Sequence, residues 1–198
     1  MKSQKRLNII YSLLAGLPYD LMNRAVYNFM EPRRDLFEQL DIPEGANLIE
    51  ICAGTGLNLK YYPKSAKGCV SDMNTRMLKS AEKKARAYDL TELDFRVLDA
   101  TRLPFKDDSF DVGIVTYGLA AIPDHVKALS ELRRVVSPGG RIGLIEFDTE
   151  ESALSGTVKI DMDDLIRNAG MKIVYRKESP QYRLPIHKQI QTEYILTV

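Results

Sequence analysis

Residues 47–56, which read NLIEICAGTG, decide the fold of this chain. Leu48, Ile49 and Ile51 form a short apolar run, as expected of a strand buried on both faces, and the run stops at the small residues 53–56. A tight turn of small residues lets a ligand approach the backbone, and a helix that follows such a turn supplies unpaired N–H groups. We therefore predict that this segment is a strand leading into a ligand-binding turn.

The composition bounds the class of protein. A length of 198 residues suits one well-buried α/β domain, and we predict a single domain over residues 1–198. The 28 basic and 27 acidic residues give no reason to expect nucleic acid as a partner, because polyanion binders usually carry a basic excess. Cys52 and Cys69 match neither a metal-ligand spacing nor a disulfide framework. We predict reduced thiols, no metal site and a cytoplasmic location.

The first 42 residues have the pattern of helices. Basic residues precede the segment LNIIYSLLAGL at 7–17, which superficially copies a secretory signal. Polar residues interrupt that run, however, and Leu7, Ile10, Leu14 and Leu17 recur at helical spacing. We predict an amphipathic helix that either packs on the domain or lies on a membrane surface as a peripheral contact. No run approaches the roughly 18 to 20 apolar residues that span a bilayer.

Strand and helix patterns alternate along residues 43–198. The predicted strands lie at 48–51, 68–71, 93–98, 110–117, 141–147, 171–175 and 193–198, and the predicted helices at 57–62, 75–88, 125–136 and 161–169. Alternation of this kind implies a parallel, doubly wound sheet, and the two consecutive strands at the end suggest an antiparallel hairpin at one edge. We predict an α/β fold with a doubly wound, mostly parallel seven-stranded sheet, preceded by the helical segment 1–42.

Polar or small residues follow four of the predicted strands. They are the turn at 53–56, Asp72, the pair Asp99 and Ala100, and the pair Thr116 and Tyr117. In doubly wound sheets, ligands bind outside the carboxyl ends of the strands, at the point where the strand order reverses. These four strand ends suit a nucleoside, because small residues can lie near the sugar and a carboxylate can bind ribose hydroxyls.

Two competing nucleotide ligands fit less well. A dinucleotide fingerprint requires Gly-x-Gly-x-x-Gly, whereas Gly54-Thr55-Gly56 is followed by Leu57-Asn58-Leu59, so the third glycine is missing. A Walker-type phosphate loop is excluded because no Gly-Lys-Ser or Gly-Lys-Thr follows.

Four stretches in order carry a resemblance to the class I S-adenosylmethionine-dependent methyltransferases. They read EICAGTG, SDMNTRML, DATRLPFKDDSFD and LRRVVSPGGRIGLIEF, within a match that covers roughly residues 19–147. The chain resembles most the ubiquinone/menaquinone biosynthesis methyltransferases, through YDLMN, LPF, SFD, YGL and PGGR. It is also similar to small phospholipid N-methyltransferases around GLNLKYYP. The resemblance implies S-adenosylmethionine as cofactor, S-adenosylhomocysteine as product, a Rossmann-like methyltransferase fold and an N-terminal helical lid.

The resemblance also implies roles for individual residues. By this resemblance, Glu50 would contact the methionine amino end directly or through water, Asp72 would hold the ribose hydroxyls, Met73 would pack on adenine, and Asp99 with Ala100 would recognise the adenine edge. The full set of implied cofactor-binding residues is Glu50, Ala53, Gly54, Gly56, Asn58, Asp72, Met73, Asp99, Ala100 and Thr116. Structural alternatives stay open, because Glu50 could be a buried acid paired within the fold, and Asp72 and Asp99 could be helix or turn caps. Asp111 is predicted to be structural, as an acid at the start of a strand.

The methyl acceptor is less clearly encoded. Three tyrosines are the predicted substrate-binding residues. Tyr11 and Tyr19 lie in the segment that folds over the cofactor in this class, and Tyr117 lies at a strand end. An aromatic face attracts an ammonium group, and a phenol can hold a quinol hydroxyl by a hydrogen bond. No catalytic residue is assigned, since His125 and His187 both suit a structural role.

The chain departs from the quinone enzymes at three places. Cys52 stands where the family has its first motif glycine, Ala120-Ala121 stands where the quinone enzymes usually carry an Arg-Asn pair, and the segment between Phe147 and Asp161 is short. We therefore predict methyl transfer to a small hydrophobic or lipid-like acceptor of the quinol or phospholipid amine type. The alternative is a non-catalytic, cofactor-binding accessory protein, and the oligomeric state is left open.

Overall fold

The structure, a computed structural model, describes residues 20–21, 30–148, 161–180 and 190–198. A seven-stranded sheet runs through it, with the strand order β3-β2-β1-β4-β5-β7-β6. The strands are β1 (Asn47–Ile51), β2 (Lys67–Ser71), β3 (Glu92–Arg96), β4 (Phe110–Thr116), β5 (Val136–Asp148), β6 (Lys172–Pro180) and β7 (Ile190–Thr197). Strands β1 to β5 pair in parallel, and β7 pairs antiparallel with both β5 and β6. The predicted doubly wound sheet and its antiparallel edge hairpin are confirmed.

Four helices cover the two faces of the sheet. They are α1 (Met30–Leu40), α2 (Thr75–Ala87), α3 (His125–Val135) and α4 (Met162–Asn168). Apolar residues of α1 and α2 pack in one core cluster, and those of α3 and α4 pack in the other. Helix α1 lies so close to the sheet that a Cβ added at Gly143 of β5 would meet Leu40 Cδ2 at 2.9 Å. Each face of the sheet is therefore buried, as the apolar run of β1 predicts.

Side-chain caps begin the helices at the predicted places. Asn74 Oδ1 accepts hydrogen bonds from the backbone N–H groups of Arg76 and Met77 at the start of α2. Asp124 caps α3 by accepting from the N–H of Lys127 at 3.1 Å. Asp111 accepts from the N–H of Asn47 at 2.9 Å, which confirms its structural role.

Several predicted boundaries are wrong. The expected helix at 57–62 is only the short 3-10 helix Leu59–Tyr61, and β3 ends at Arg96. Strand β5 begins at Val136 and not at the predicted residue 141, and it has a bulge between the pairs Phe110–Val136 and Val112–Arg141. Strands β6 and β7 are longer than predicted, because backbone pairing continues through the mostly exposed residues 176–180 of β6 and through the buried polar residues Gln191 and Thr192 of β7, none of which forms an apolar run.

The point where the strand order reverses lies between β1 and β4. Strand β1 pairs with β2 on one side and with β4 on the other, so the chain leaves β1 and β4 toward opposite edges of the sheet. The carboxyl ends of these strands are the place where such sheets bind ligands. No helix in the described part of the chain combines the length and apolar character needed to cross a membrane.

Candidate functional site

A cavity of about 400 Å³ opens at the carboxyl ends of β1 to β4. This volume is within the range of small-molecule binding sites. The cavity is lined by Cys52, Gly54, Ser71, Asp72, Met73, Asn74, Met77, Leu98, Asp99, Ala100, Thr101, Tyr117, Gly118, Ala121, Ile122, Pro123 and Asp124. The structure therefore brings together six of the predicted site residues, namely Gly54, Asp72, Met73, Asp99, Ala100 and Tyr117.

The turn after β1 has a left-handed backbone at three positions. The φ angles are 56° at Cys52, 56° at Gly54 and 76° at Gly56. A Cβ added at Gly54 would meet nothing within 4 Å, whereas one added at Gly56 would lie 2.8 Å from Ala81 Cβ. Gly54 thus leaves the backbone open beside the cavity, while Gly56 lets the turn pack against α2.

Cys52 lines the cavity and has a left-handed φ. This backbone conformation is uncommon for residues other than glycine. Its side chain lies against Gly118, where an added Cβ would meet Cys52 Cβ at 2.4 Å. The departure from the family glycine at position 52 is thus accommodated by a glycine at the end of β4. Burial raises the pKa of the Cys52 thiol, which keeps it neutral.

The carboxylate of Asp72 connects two backbone segments. Oδ2 accepts from the N–H of Gly54 at 2.7 Å, and Oδ1 accepts from the N–H of Asn74 at 2.7 Å. Each oxygen has a further lone pair, so the carboxylate can also accept hydrogen bonds from a vicinal diol in the cavity. Burial raises the pKa of Asp72, and the two backbone N–H groups oppose that shift.

The cavity wall next to Asp72 is formed by the ends of β2 and β3. Met73 is 55% exposed and offers an apolar surface to the cavity. Asp99 Oδ1 accepts from both the N–H and the hydroxyl of Thr101, so Asp99 is also a turn cap. Asp124, the residue that caps α3, is a third carboxylate at this cavity. Among the described lining residues, none is a lysine or an arginine.

Glu50, Asn58 and Thr116 belong to a buried polar network behind the turn. Asn58 Nδ2 donates to Glu50 Oε1 at 2.6 Å and to Thr116 Oγ1 at 3.0 Å. The hydroxyl of Tyr62 donates to Glu50 Oε2 at 2.5 Å. Arg33 of α1 donates to Asn58 Oδ1 at 2.8 Å and to Thr116 Oγ1 at 3.4 Å. Both oxygens of Glu50 therefore have partners within the protein.

Five predicted cofactor-binding residues lie outside the cavity lining, and three of them belong to this network. They are Glu50, Ala53, Gly56, Asn58 and Thr116. Glu50 is 1% exposed, and burial raises its pKa to about 7 in spite of the hydrogen bonds from Tyr62 and Asn58. The observed contacts support the structural alternative for Glu50, and its contact with the methionine amino end stays a prediction.

Tyr117 lies where the cavity meets the buried network. Its φ is 57°, its hydroxyl donates to Gln191 Oε1 at 2.8 Å, and the guanidinium carbon of Arg33 lies 4.6 Å from its ring centroid. Burial raises the pKa of the phenol, so Tyr117 stays protonated at neutral pH. Tyr11, Tyr19 and His187 lie outside the described residues.

Glu146 supports the short helix after β4, Leu119–Ala121. Its Oε2 accepts from the N–H of Ala120 at 3.1 Å and its Oε1 from the N–H of Phe147 at 3.0 Å. Burial raises the pKa of Glu146 to about 7. Ala120 and Ala121, which replace the family's Arg-Asn pair, thus lie on a fixed backbone, and Ala121 faces the cavity.

Two other kinds of chemical group, histidine and clusters of metal-ligating side chains, add no catalytic group to the described part of the site. His125 begins α3, and its buried Nδ1 has no hydrogen-bond partner within the described part of the chain. The described residues contain no group of three or more His, Cys, Asp or Glu that could hold a metal ion.

Sequence reasoning missed several lining residues. Ser71, Asn74, Met77, Leu98, Thr101, Gly118, Ile122, Pro123 and Asp124 belong to this group. Most of them lie within a few residues of a predicted strand end. This short distance along the sequence is the signal that identifies them.

A protein-family model and individual known proteins match this chain over most of its length. The ubiE/COQ5 methyltransferase family model matches residues 1–158. A ubiquinone/menaquinone biosynthesis C-methyltransferase, UbiE, of Rickettsia felis is 33% identical over 192 residues, covering 91% of this chain and 77% of the relative. The corresponding protein of Rickettsia bellii is 32% identical with the same coverage.

Solved structures show the same fold at low sequence identity. A SAM-dependent methyltransferase from Aquifex aeolicus has a TM-score of 0.70 at 15% identity, covering 96% of this chain and 98% of that one. The [4+2]-cyclase SpnF has a TM-score of 0.74 at 17% identity, covering 85% and 80%. The predicted Rossmann-like methyltransferase fold is confirmed, and the cyclase shows that the fold alone does not define the reaction.

We predict that Asp72→Ala weakens S-adenosylhomocysteine binding by roughly 30-fold or more, because hydrogen bonds to a charged acceptor contribute about 1.5–3 kcal/mol each. Isothermal titration calorimetry measures the affinity. Asp94→Ala, at an exposed position of β3, serves as the control and should bind normally. Equal affinities of a folded Asp72→Ala variant and the wild type would contradict the role of Asp72.

We predict that Glu50→Gln keeps S-adenosylhomocysteine affinity within about threefold of the wild type, because a glutamine can still accept from Asn58 and can donate to the hydroxyl of Tyr62. Glu50→Ala should weaken binding and stability, since it leaves Asn58 and Tyr62 unpaired. A large loss of affinity in a stable Glu50→Gln variant would show that the charge contacts the ligand.

The same variant tests the pH dependence of stability. Folding raises the pKa of Glu50 from 4.5 to about 7, so the folded state binds the proton more tightly, and stability is lost as the pH rises through about 7. Urea unfolding of Glu50→Gln should therefore show a smaller loss of stability than the wild type between pH 5 and pH 8. If the free energy of unfolding depends on pH in the same way in Glu50→Gln and in the wild type, the raised pKa of Glu50 is contradicted.

Proposed function

The chain belongs to the ubiE/COQ5 methyltransferase family, and from that premise we propose that it transfers a methyl group from S-adenosylmethionine to a ring carbon of a quinol-type acceptor. Family membership and the fold make the chain an S-adenosylmethionine-dependent methyltransferase. The observation that supports the acceptor class is the 33% identity to C-methyltransferases of ubiquinone and menaquinone biosynthesis over 91% of the chain.

The residues at the cavity fit this methyl donor. Asp72 offers two carboxylate oxygens to a ribose diol, Met73 offers an apolar surface to a base, and Gly54 leaves space beside the backbone. The charged lining residues among those described, Asp72, Asp99 and Asp124, are all acidic. S-adenosylmethionine supplies a methyl group that is already activated on a positively charged sulfonium. An acidic cavity favours such a cation over an anionic ligand of similar shape.

The proposed acceptor would lie at the side of the cavity formed by the end of β4. Tyr117, Gly118, Ala121, Ile122 and Pro123 line this side with an aromatic ring and mainly apolar groups. Such a wall suits a flat, hydrophobic ring and excludes water from the reacting carbon. The enzyme's main contribution is then to align donor and acceptor in a dry pocket.

Methylation of a quinol carbon is helped when a ring hydroxyl is polarised. Tyr117 is the phenol among the described cavity residues, and its raised pKa makes it a hydrogen-bonding group and not a base at neutral pH. Ala120 and Ala121 bring no polar side chain to this wall, unlike the Arg-Asn pair usual in the quinone enzymes. We propose that Tyr117 orients the acceptor hydroxyl in this chain.

The test is a methyl-transfer assay under anaerobic conditions. The purified chain is incubated with S-adenosylmethionine carrying a labelled methyl group and either a chemically reduced, prenylated quinol lacking one ring methyl or vesicles of phosphatidylethanolamine. Mass spectrometry should show the label on a ring carbon of the quinol, with S-adenosylhomocysteine formed in equal amount. The oxidised quinone should stay unlabelled, because its ring carbon is not nucleophilic.

Two results would contradict the proposed acceptor. Label on the amine of the phospholipid, with none on the quinol, would make the chain an N-methyltransferase. Donor binding without transfer to either acceptor would support the accessory-protein alternative. Tyr117→Phe should lower the rate with quinol without weakening S-adenosylhomocysteine binding, because it keeps the ring and removes the hydroxyl together with its hydrogen bond to Gln191.

A further inference from the structure

Asp20, from the N-terminal part of the chain, reaches the turn after β1. Its Oδ1 accepts from the hydroxyl of Thr55 at 2.6 Å, and its Oδ2 lies 2.6 Å from Lys84 Nζ. The side chains of Asp20 and Lys84 are only 16% and 24% exposed. A partly buried ion pair is screened less by salt than a pair on the surface.

Lys84 also fixes the peptide group at the centre of the turn. Its ammonium donates to the carbonyl oxygen of Thr55 at 2.8 Å. The carbonyl of one residue and the N–H of the next point in opposite directions, so this bond also orients the N–H of Gly56, which donates to the carbonyl of Ala53 at 3.0 Å. The negative end of the Thr55 peptide is thereby held on Lys84.

The ion pair lies outside the cavity that it would support. Thr55 is 1% exposed, and neither Thr55 nor Asp20 nor Lys84 lines the cavity, whereas Gly54, directly before Thr55, does. Helix α2 contacts the turn twice, through Ala81 against Gly56 and, one turn further along, through Lys84 against Thr55. The backbone beside the donor is therefore held by packing at one point and by charge at the other.

We propose that Asp20 and Lys84 are positioning residues for the methyl donor, which act by holding Thr55 and thus the open backbone at Gly54. The inference rests on the proposed donor site, because it assumes that the ligand lies against this turn. It makes donor affinity depend on one ion pair that joins the N-terminal part of the chain to α2. The contact with the ligand itself is made by other residues, such as Asp72.

The experiment compares four single variants of the full chain, and the double variant of Lys84→Met with Asp20→Asn, with the wild type. Lys84→Met keeps the length of the side chain and removes its charge, whereas Lys84→Arg keeps the charge. Asp20→Asn keeps an acceptor for the hydroxyl of Thr55 and removes the ion pair. Lys83→Met is the matched control, because Lys83 is the exposed neighbour on α2 and makes no ion pair within the described part of the chain.

The measured quantities are the dissociation constant of S-adenosylhomocysteine, the KM for S-adenosylmethionine, kcat and the melting temperature. Lys84→Met and Asp20→Asn should each raise the dissociation constant and the KM about tenfold and leave kcat within about threefold, as expected for the loss of a charge-assisted contact. Their double variant should bind no more weakly than the worse single variant, because both remove the same ion pair. Lys84→Arg should recover most of the affinity, and Lys83→Met should match the wild type.

Three outcomes overturn the inference in distinguishable ways. Variants that melt at a lower temperature and bind S-adenosylhomocysteine as the wild type does would assign Asp20 and Lys84 to stability alone. Effects that simply add in the double variant would show that the two residues act independently. Failure of the wild-type chain to bind S-adenosylhomocysteine would instead remove the donor site, and this inference with it.

Discussion

The hydrogen bonds that the Asp72 carboxylate accepts from Gly54 and Asn74 join the turn after β1 to the start of α2. The turn needs such support, because three of its residues have left-handed φ values and one of them, Cys52, is not a glycine. A non-glycine residue in this region costs roughly 1–2 kcal/mol. The same carboxylate lines the cavity, so the group that stabilises the turn is also the group that we propose as the ribose binder.

Behind the turn, a buried network holds the other side of the site. Glu50 of β1, Asn58, Thr116 of β4 and Arg33 of α1 connect four parts of the chain through hydrogen bonds. A buried polar group is tolerated only when its partners are present, which makes this network a strong constraint on the local geometry. The cavity at the carboxyl ends of β1 to β4 is thus lined by one set of residues and supported by another set that lies outside its lining.

The sequence pattern predicted the part of the site that depends on local order along the chain. The apolar run of β1, the small residues at 53–56 and the acids at 72 and 99 follow one another in the order that a parallel sheet requires, so their convergence at one edge could be predicted. The resemblance to methyltransferases added the identity of the ligand.

The remaining features depend on contacts between distant parts of the chain. Arg33 meets Asn58 across 25 positions and Thr116 across 83, and no periodicity encodes such pairings. The same holds for Asp20 and Thr55, which are 35 positions apart. The hydrogen bonds of Glu50 to Asn58 and Tyr62 also could not be predicted from a local pattern, and the contact of Glu50 with the ligand stays a prediction. The extensions of β6 and β7 were missed for a related reason, because backbone pairing decides them.

A crystal structure of the chain with S-adenosylhomocysteine is the direct test of the proposed donor site. We expect the ribose hydroxyls within hydrogen-bond distance of Asp72, the methionine portion beside Gly54, and Glu50 still bonded to Asn58 and Tyr62. A ligand bound elsewhere, or a Glu50 that leaves both partners to contact the ligand, would contradict it.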